Sequence, residues 1–368
     1  MKALLPLLLC MGLAGPSAAQ LVIGQTTGVT GNSALNVSET TLGARLWLDA
    51  VNSRGGVNGN RIDLRTLDDQ GSADAAAANV KALVENEQVL ALFMIRGTPQ
   101  NQAVLPLLEQ YDIASIAPST GAMLLYAPVN RHVFNVRSPY QAEAQRAIEQ
   151  LASMGTTRIA VFKTHDAFGE DASAGATHGF AKAHLEPVLV GSFDKAAPRF
   201  DDLAIELNKA NAQAVLILGT GSAVVKAVRD IRHVGSKATV VTLSNNASDG
   251  FVHELGELAR GVIVTQVFPG EDANTLAMVR DAATLLHVRH PQTRLSPAMI
   301  EGFAGARVLV EALRRAGAHP TRKSVLDALN GLESFDLGGI KVHYSPSDHS
   351  GLHYTDLSVI DAQGRFQR

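Results

Sequence analysis

Residues 89–125 read VLALFMIRGTPQNQAVLPLLEQYDIASIAPSTGAMLL. The apolar run at 89–94, closed by Arg96 and Gly97, has the length and composition of a buried strand. A helix is expected over 99–111. Thr98 is a good N-cap, and Pro99 suits the first helical position, where its missing N–H would have no partner anyway. A second strand at 113–116 runs into a loop at 117–121, whose Ser119 and Thr120 suit the cap of another helical turn. Consecutive parallel strands of a βαβ unit place such loops side by side at the carboxyl edge of the sheet. Backbone N–H groups, hydroxyls and two positive helix ends then converge on one spot, a site for a small anion and most simply a carboxylate. Thr98 and Ser119 are expected to give it hydroxyl and backbone hydrogen bonds. Arg96 has two readings: a bidentate contact with that carboxylate, or a pairing with an acidic side chain at the sheet edge.

On the amino-terminal side, a strand at 21–25 leads into the loop TTGVTGNSALN at 26–36. That loop lacks the Lys-Ser/Thr of a P-loop and the glycine spacing of a dinucleotide site, so no phosphate role is assigned to it. A helix over 39–52 stops at Arg54-Gly55-Gly56, and a strand at 62–67 precedes a helix capped near Ser72. Asp68-Asp69, with no third ligand nearby, reads as a solvated strand end rather than a metal site.

On the carboxyl side, a strand at 131–140 leads into a crossover, and the alternation then starts afresh. Strands are expected at 158–163, 187–191, 214–218 and 239–243, and helices at 172–183, 200–210 and 222–234. After the loop SNNASDG at 244–250, a strand at 261–267 returns the chain to helices at 272–288, 297–316 and 324–331. Strands alternating with helices imply an α/β fold with parallel sheets covered on both faces. Two such runs imply two doubly wound parallel-sheet lobes, residues 20–138 with 270–343 and residues 139–269 with 344–368.

Composition agrees with a two-domain globular chain: 368 residues, 46% hydrophobic and 18% charged. A formal net charge of −3 argues against nucleic acid or an anionic membrane as partner. Met1-Lys2, the apolar run 3–14 and Ser17-Ala18-Ala19 form a secretory signal peptide, residues 1–19, cleaved after Ala19. The single cysteine, Cys10, lies in the segment removed. The expected product is a cysteine-free monomer, exported to the periplasm and not inserted in a membrane.

The twelve histidines assemble no HExxH or zinc spacing, and no GxSxG occurs. His165-Asp166 are neighbours in a loop, and His343, His349 and His353 read as a solvated segment. Trp47 and Leu48 take core spacing in the first helix. Neither an enzyme nor a metal or other cofactor is expected.

In their order and spacing, GARLWLDAVNSRGGVNG, the DDQ of Asp68–Gln70, GTPQNQAVLPLL, IAPSTGA, HVFNVRSPY and IAVFKTHDAFGEDA resemble one family. It is the periplasmic substrate-binding proteins of ABC transporters, of the leucine/isoleucine/valine-binding type, and the resemblance runs from Leu21 to the end. It implies two lobes linked by three crossover segments, a ligand in the cleft between them and a membrane permease as partner. It implies carboxylate binding by Gly97, Thr98, Ser119, Thr120 and Gly121, and an aromatic contact from Phe168. Two departures bear on the ligand. Gly121 stands where amino-acid binders usually carry threonine. The loop of Ser244, Asn245 and Asn246 lacks their acidic residue, leaving Asp249 as the nearest carboxylate. The ligand is then a branched-chain or other apolar amino acid paired with Asp249, or an amine-free aromatic or aliphatic acid. A ligand-sensing module is the alternative to a transport receptor. Closure is expected about hinges near 137–139 and 268–270.

Overall fold

The structure is a computed structural model describing residues 20–368; the expected signal peptide, with Cys10, lies outside the described residues. The first sheet has five strands: β1 (Gln20–Thr27), β2 (Arg61–Asp68), β3 (Ala91–Phe93), β4 (Ser115–Ile116) and β5 (Val133–Phe134). All run parallel, in the order β2-β1-β3-β4-β5. Helices α1 (Ala34–Ser53), α2 (Ala73–Glu85) and α3 (Thr98–Gln110) make the connections. The stretch 89–125 is therefore strand, helix, strand and loop in the middle of a doubly wound sheet, as its sequence implied.

The chain then crosses to a second unit built from α4 (Tyr140–Ser153), β6 (Ile159–Thr164), α5 (Ala167–Ala183), β7 (Leu189–Phe193) and α6 (Asp201–Lys209). It continues through β8 (Ala214–Leu218), α7 (Ser222–His233), β9 (Thr239–Thr242), α8 (Asp249–Leu255) and β10 (Ile263–Gln266). Every residue of β8 (AVLIL) is buried, because a central parallel strand is covered on both faces. A return crossing brings α9 (Ala277–Arg289), α10 (Pro297–Arg315), α11 (Arg322–Asn330) and the hairpin of β11 (Phe335–Asp336) and β12 (Lys341–Val342) back to the first lobe. A third crossing ends in β13 (Asp356–Ile360) and β14 (Phe366–Gln367), antiparallel additions to a sheet ordered β14-β13-β10-β9-β8-β6-β7.

The carboxyl-terminal segment differs from its sequence reading. Tyr344 and Leu352 join the first lobe's core rather than the second's, so the last crossing follows Leu352 and not residue 343. Tyr344 packs edge-on against Phe134 at 5.4 Å, and its hydroxyl donates to the Asn135 carbonyl at 2.7 Å. His349, expected in a solvated segment, is buried and stacks on Phe134 at 4.3 Å. Burial pushes its pKa down, favouring the neutral ring. The strand expected over 131–140 shortens to two residues, because Arg137–Pro139 form the first crossing and Pro139 caps α4. In α1, Trp47 packs edge-on against Phe303 of α10 at 5.4 Å, with the Arg307 guanidinium over its ring at 4.5 Å. No helix among the described residues is long and apolar enough to cross a membrane.

Candidate ligand-binding site

The carboxyl edges of the two sheets face each other across a cleft of ≈ 260 Å³. The first lobe lines it with the loops after β1 (Thr30, Asn32, Ser33) and β2 (Asp69, Gln70), the β3–α3 loop (Arg96, Gly97, Thr98, Gln100) and Ser119. The second lobe answers with Tyr140, Asp166, Phe168, Lys195, Thr220 and Asn245. The rims touch. Asn32 donates to the Lys195 carbonyl at 3.0 Å and accepts from Ser222 at 3.2 Å, and the Met123 N–H donates to Asp171 at 3.0 Å. This is a closed arrangement of the lobes.

Arg96 sits at the floor, only 7% exposed. Its guanidinium donates to the Asn36 side-chain oxygen at 2.5 Å and to the Asn245 carbonyl at 3.0 Å. Both acceptors are neutral, and no carboxylate among the described residues lies within ion-pair distance of it. The acidic side-chain partner considered for Arg96 is not there. Burial pushes its pKa below the ordinary arginine value, against the opposing pull of the Glu301 and Asp69 carboxylates.

The loop beside it departs from expectation in a useful way. Gly97, not Thr98, is the N-cap of α3, and its φ of 95° is one that side-chain-bearing residues rarely adopt. Thr98 begins the helix with its hydroxyl uncommitted to capping, 3.0 Å from the Thr120 hydroxyl. The first-turn N–H groups at Thr98 and Gln100 have no partner within the helix. Guanidinium, hydroxyl and open helix end thus gather at one place, and their shared chemistry is the binding of a carboxylate.

Ser119 lines the cleft but is already engaged. Its N–H donates to the Ile95 carbonyl at 3.0 Å, and its hydroxyl donates to Glu301 at 3.0 Å. The backbone and hydroxyl donation expected of Ser119 is therefore spent inside the protein. Thr120 is fully buried behind Thr98. Gly121 lies under the first crossing, where an added Cβ would stand 2.6 Å from the Tyr140 nitrogen. Its carbonyl accepts the Tyr140 N–H at 2.7 Å, so a packing constraint accounts for glycine there.

In the second lobe, Phe168 and Tyr140 meet edge to face at 4.9 Å and form an aromatic wall. Of the loop Ser244–Asn246, only Asn245 reaches the cleft. Ser244 accepts from Arg137 at 2.7 Å, and Asn246 is bonded to Gly219, Gly221 and Thr242. Asp249 is outside, held by the Arg294 guanidinium at 2.8 and 3.1 Å. Five expected site residues, Thr120, Gly121, Ser244, Asn246 and Asp249, thus stand behind or beside the cleft.

Asp68 and Asp69 part company. Asp68 remains at the surface and accepts from Thr30 at 2.6 Å, whereas Asp69 is fully buried and accepts from Thr26 and the Gly71 N–H. Reading the pair as a solvated strand end fails for Asp69, whose carboxyl pKa burial pushes up. Asp166 caps α5 and pairs with Lys195 at 3.0 Å. Burial works against its charge, but bonds from Thr164 and Lys195 outweigh that and hold it below the usual carboxylate range. Sequence reasoning passed over Asn32, Tyr140 and Lys195. Asn32 had a legible signal, an amide in a loop at a strand's carboxyl end; Lys195 had none. No cluster of metal-ligating side chains occurs among the described residues.

Two lobes joined by three crossings enclose this cleft. A sequence model of the periplasmic binding protein family matches residues 20–365, and the chain belongs to that family. A Leu/Ile/Val-binding protein homolog from Brucella melitensis is 23% identical over 327 residues, covering 87% of this chain and 86% of its own length. The crystal structure of a possible leucine/isoleucine/valine-binding protein from Rhodopirellula baltica superposes with TM-score 0.90 at 25% identity, covering 96% of this chain and 98% of the other. Two more distant structures share the fold. A branched-chain amino acid ABC transporter protein from Thermus thermophilus holds valine (TM-score 0.84, 18% identity, 95% of each chain). A solute-binding protein from Rhodopseudomonas palustris holds 3,4-dihydroxybenzoic acid (TM-score 0.82, 18% identity, 94% and 95% of the chains).

Proposed function

We propose that the mature protein works in the periplasm as a monomer, closes over a small organic carboxylate and delivers it to the permease of an ABC importer. The observation that carries this reading is Arg96, a buried guanidinium in the cleft whose bonds all go to neutral groups. An isolated buried charge costs several kcal/mol, and a ligand carboxylate relieves that cost. The Thr98 hydroxyl, which caps nothing and shares one bond with Thr120, and the open first turn of α3 support the same assignment.

Of the two ligand types left open, an acid without an ammonium fits better. Asp249, the expected ammonium partner, is neutralised by Arg294 away from the cleft, and Asp166 is paired with Lys195. Such acids are held by relatives of this fold, as is valine.

Calorimetry with carboxylic acids and their matching amides tests the reading. Benzoate, 3-phenylpropanoate, 4-methylpentanoate and octanoate form the panel, with leucine as the amino-acid member. At least one acid is expected to bind, and its amide to lose binding by a hundredfold or more. An amide that binds as well as its acid would refute the carboxylate site. Leucine binding that Asp249→Asn abolishes would restore the amino-acid reading.

A further inference from the structure

Behind the cleft, Glu301 of α10 accepts the Ser119 hydroxyl at 3.0 Å and lies 3.6 Å from Arg137. Arg137, in the first crossing, also pairs with Glu143 at 2.5 Å and donates to Ser244 at 2.7 Å. All five residues are buried. A carboxylate has no proton to offer, so the hydrogen between Glu301 and Ser119 comes from serine. The Ser119 N–H is committed as well, to Ile95 at 3.0 Å. Towards the cleft, Ser119 has only lone pairs left. It is an acceptor, directly beside Arg96, since these two residues are paired across parallel backbone segments.

We propose that Glu301 is a positioning residue that fixes Ser119 as a hydrogen-bond acceptor. The cleft thereby selects a 2-hydroxy carboxylic acid, its carboxylate on Arg96 and its hydroxyl donating to Ser119. This rests on the carboxylate reading above and deepens it. The one Arg137 guanidinium is shared between Glu143 and Glu301, and a neutral hydroxyl is sufficient to donate to the Ser119 oxygen. The aromatic wall of Tyr140 and Phe168 leaves an apolar surface for the remainder of the acid.

The test uses two matched series, measured by calorimetry on the mature protein. One is 2-hydroxy-4-methylpentanoate, 4-methylpentanoate and leucine; the other is 3-phenyllactate, 3-phenylpropanoate and phenylalanine. In at least one series the hydroxy acid is expected to bind about tenfold more tightly than its parent acid, the scale of one neutral hydrogen bond. Ser119→Ala and Glu301→Gln should each bring that ratio towards one. If Glu301→Gln does not fold, Ser119→Ala decides. A ratio near one in the unaltered protein overturns the proposal, as does an amino acid that binds more tightly than its hydroxy analogue. So does a Ser119→Ala variant that weakens both acids by the same factor, which would mean that Ser119 donates to the carboxylate. Silence from all six compounds overturns it too. If benzoate or octanoate then binds in an Arg96-dependent manner, the carboxylate reading stands alone; otherwise both fall.

Discussion

The loops after β3 and β9 occupy comparable places, each at the carboxyl end of a central parallel strand facing the cleft, yet they are built for opposite purposes. After β9, nearly every polar atom is spent within the second lobe and the crossing. The Asn246 amide donates to Gly219 at 3.0 Å and Thr242 at 2.8 Å and accepts from Gly221 at 2.7 Å. Asn245 donates to Gly219 at 3.1 Å, and the Ser244 N–H donates to Glu143 at 3.0 Å. After β3, Arg96 has no carboxylate of the described residues within ion-pair distance, the Thr98 hydroxyl has one bond, to Thr120, and the first turn of α3 is open. A satisfied polar network makes a rigid wall, and an unsatisfied one makes a site. Both loops looked alike as short polar runs after apolar strands.

The strongest way to break this contrast is Arg96→Met. It should cost about 3 kcal/mol of carboxylate binding, more than a hundredfold in Kd by calorimetry. Retained affinity would put the two loops on an equal footing.

In the second lobe the loss should fall on stability. Asn246→Ala strands the Gly221 N–H and removes the bonds to Gly219 and Thr242, and should cost about 2 kcal/mol in urea unfolding. Folded Asn246→Ala protein should still bind its acid within about threefold, since the residue does not line the cleft. A large loss of affinity with unchanged stability would reverse the roles assigned to the two loops.

Thr98→Val keeps the shape and removes the hydroxyl. About 1 kcal/mol, roughly fivefold in affinity, is the expected loss. A change confined to unfolding would show that Thr98 serves only Thr120.

The smallest effect concerns pH. Glu39 of α1 reaches across to the second lobe and accepts the N–H groups of Asp249 and Gly250 at 3.0 and 2.7 Å. Burial is the main cause that raises its pKa above 4.5, outweighing the bonds from Ser296 and those N–H groups. A group bound more tightly to its proton in the folded state contributes stability that is complete below the unfolded value. That contribution is lost as pH rises through the raised folded value. Glu39→Gln should therefore flatten the fall in stability just above pH 4.5, followed by thermal melts across acid pH. An unchanged profile would remove Glu39 from the titrating contacts between the lobes.

What the residues determined unaided was the succession of elements. Apolar runs of strand length alternate with helical periods, and Gly and Pro mark the ends, so the chain announces parallel sheets, two lobes and a polar strand-end loop at 96–98. These are properties of near neighbours. Even there, the cap slipped by one residue, from Thr98 to Gly97, because a positive φ is settled by the backbone's path and not by side-chain preference.

The partners of each polar group came only with the tertiary structure. Ser119 meets Glu301 across 182 residues, Arg96 meets Asn245 across 149, and Asp249 is drawn away by Arg294 across 45. A hydroxyl, carboxylate or guanidinium has the same formula whether it is spent or open. Whether it can bind a ligand depends on which distant groups folding places within about 3 Å of it, and hydrogen bonds fall away steeply beyond that range. Local sequence could therefore place the site's loop, and only the packed lobes could decide which of its donors remained free.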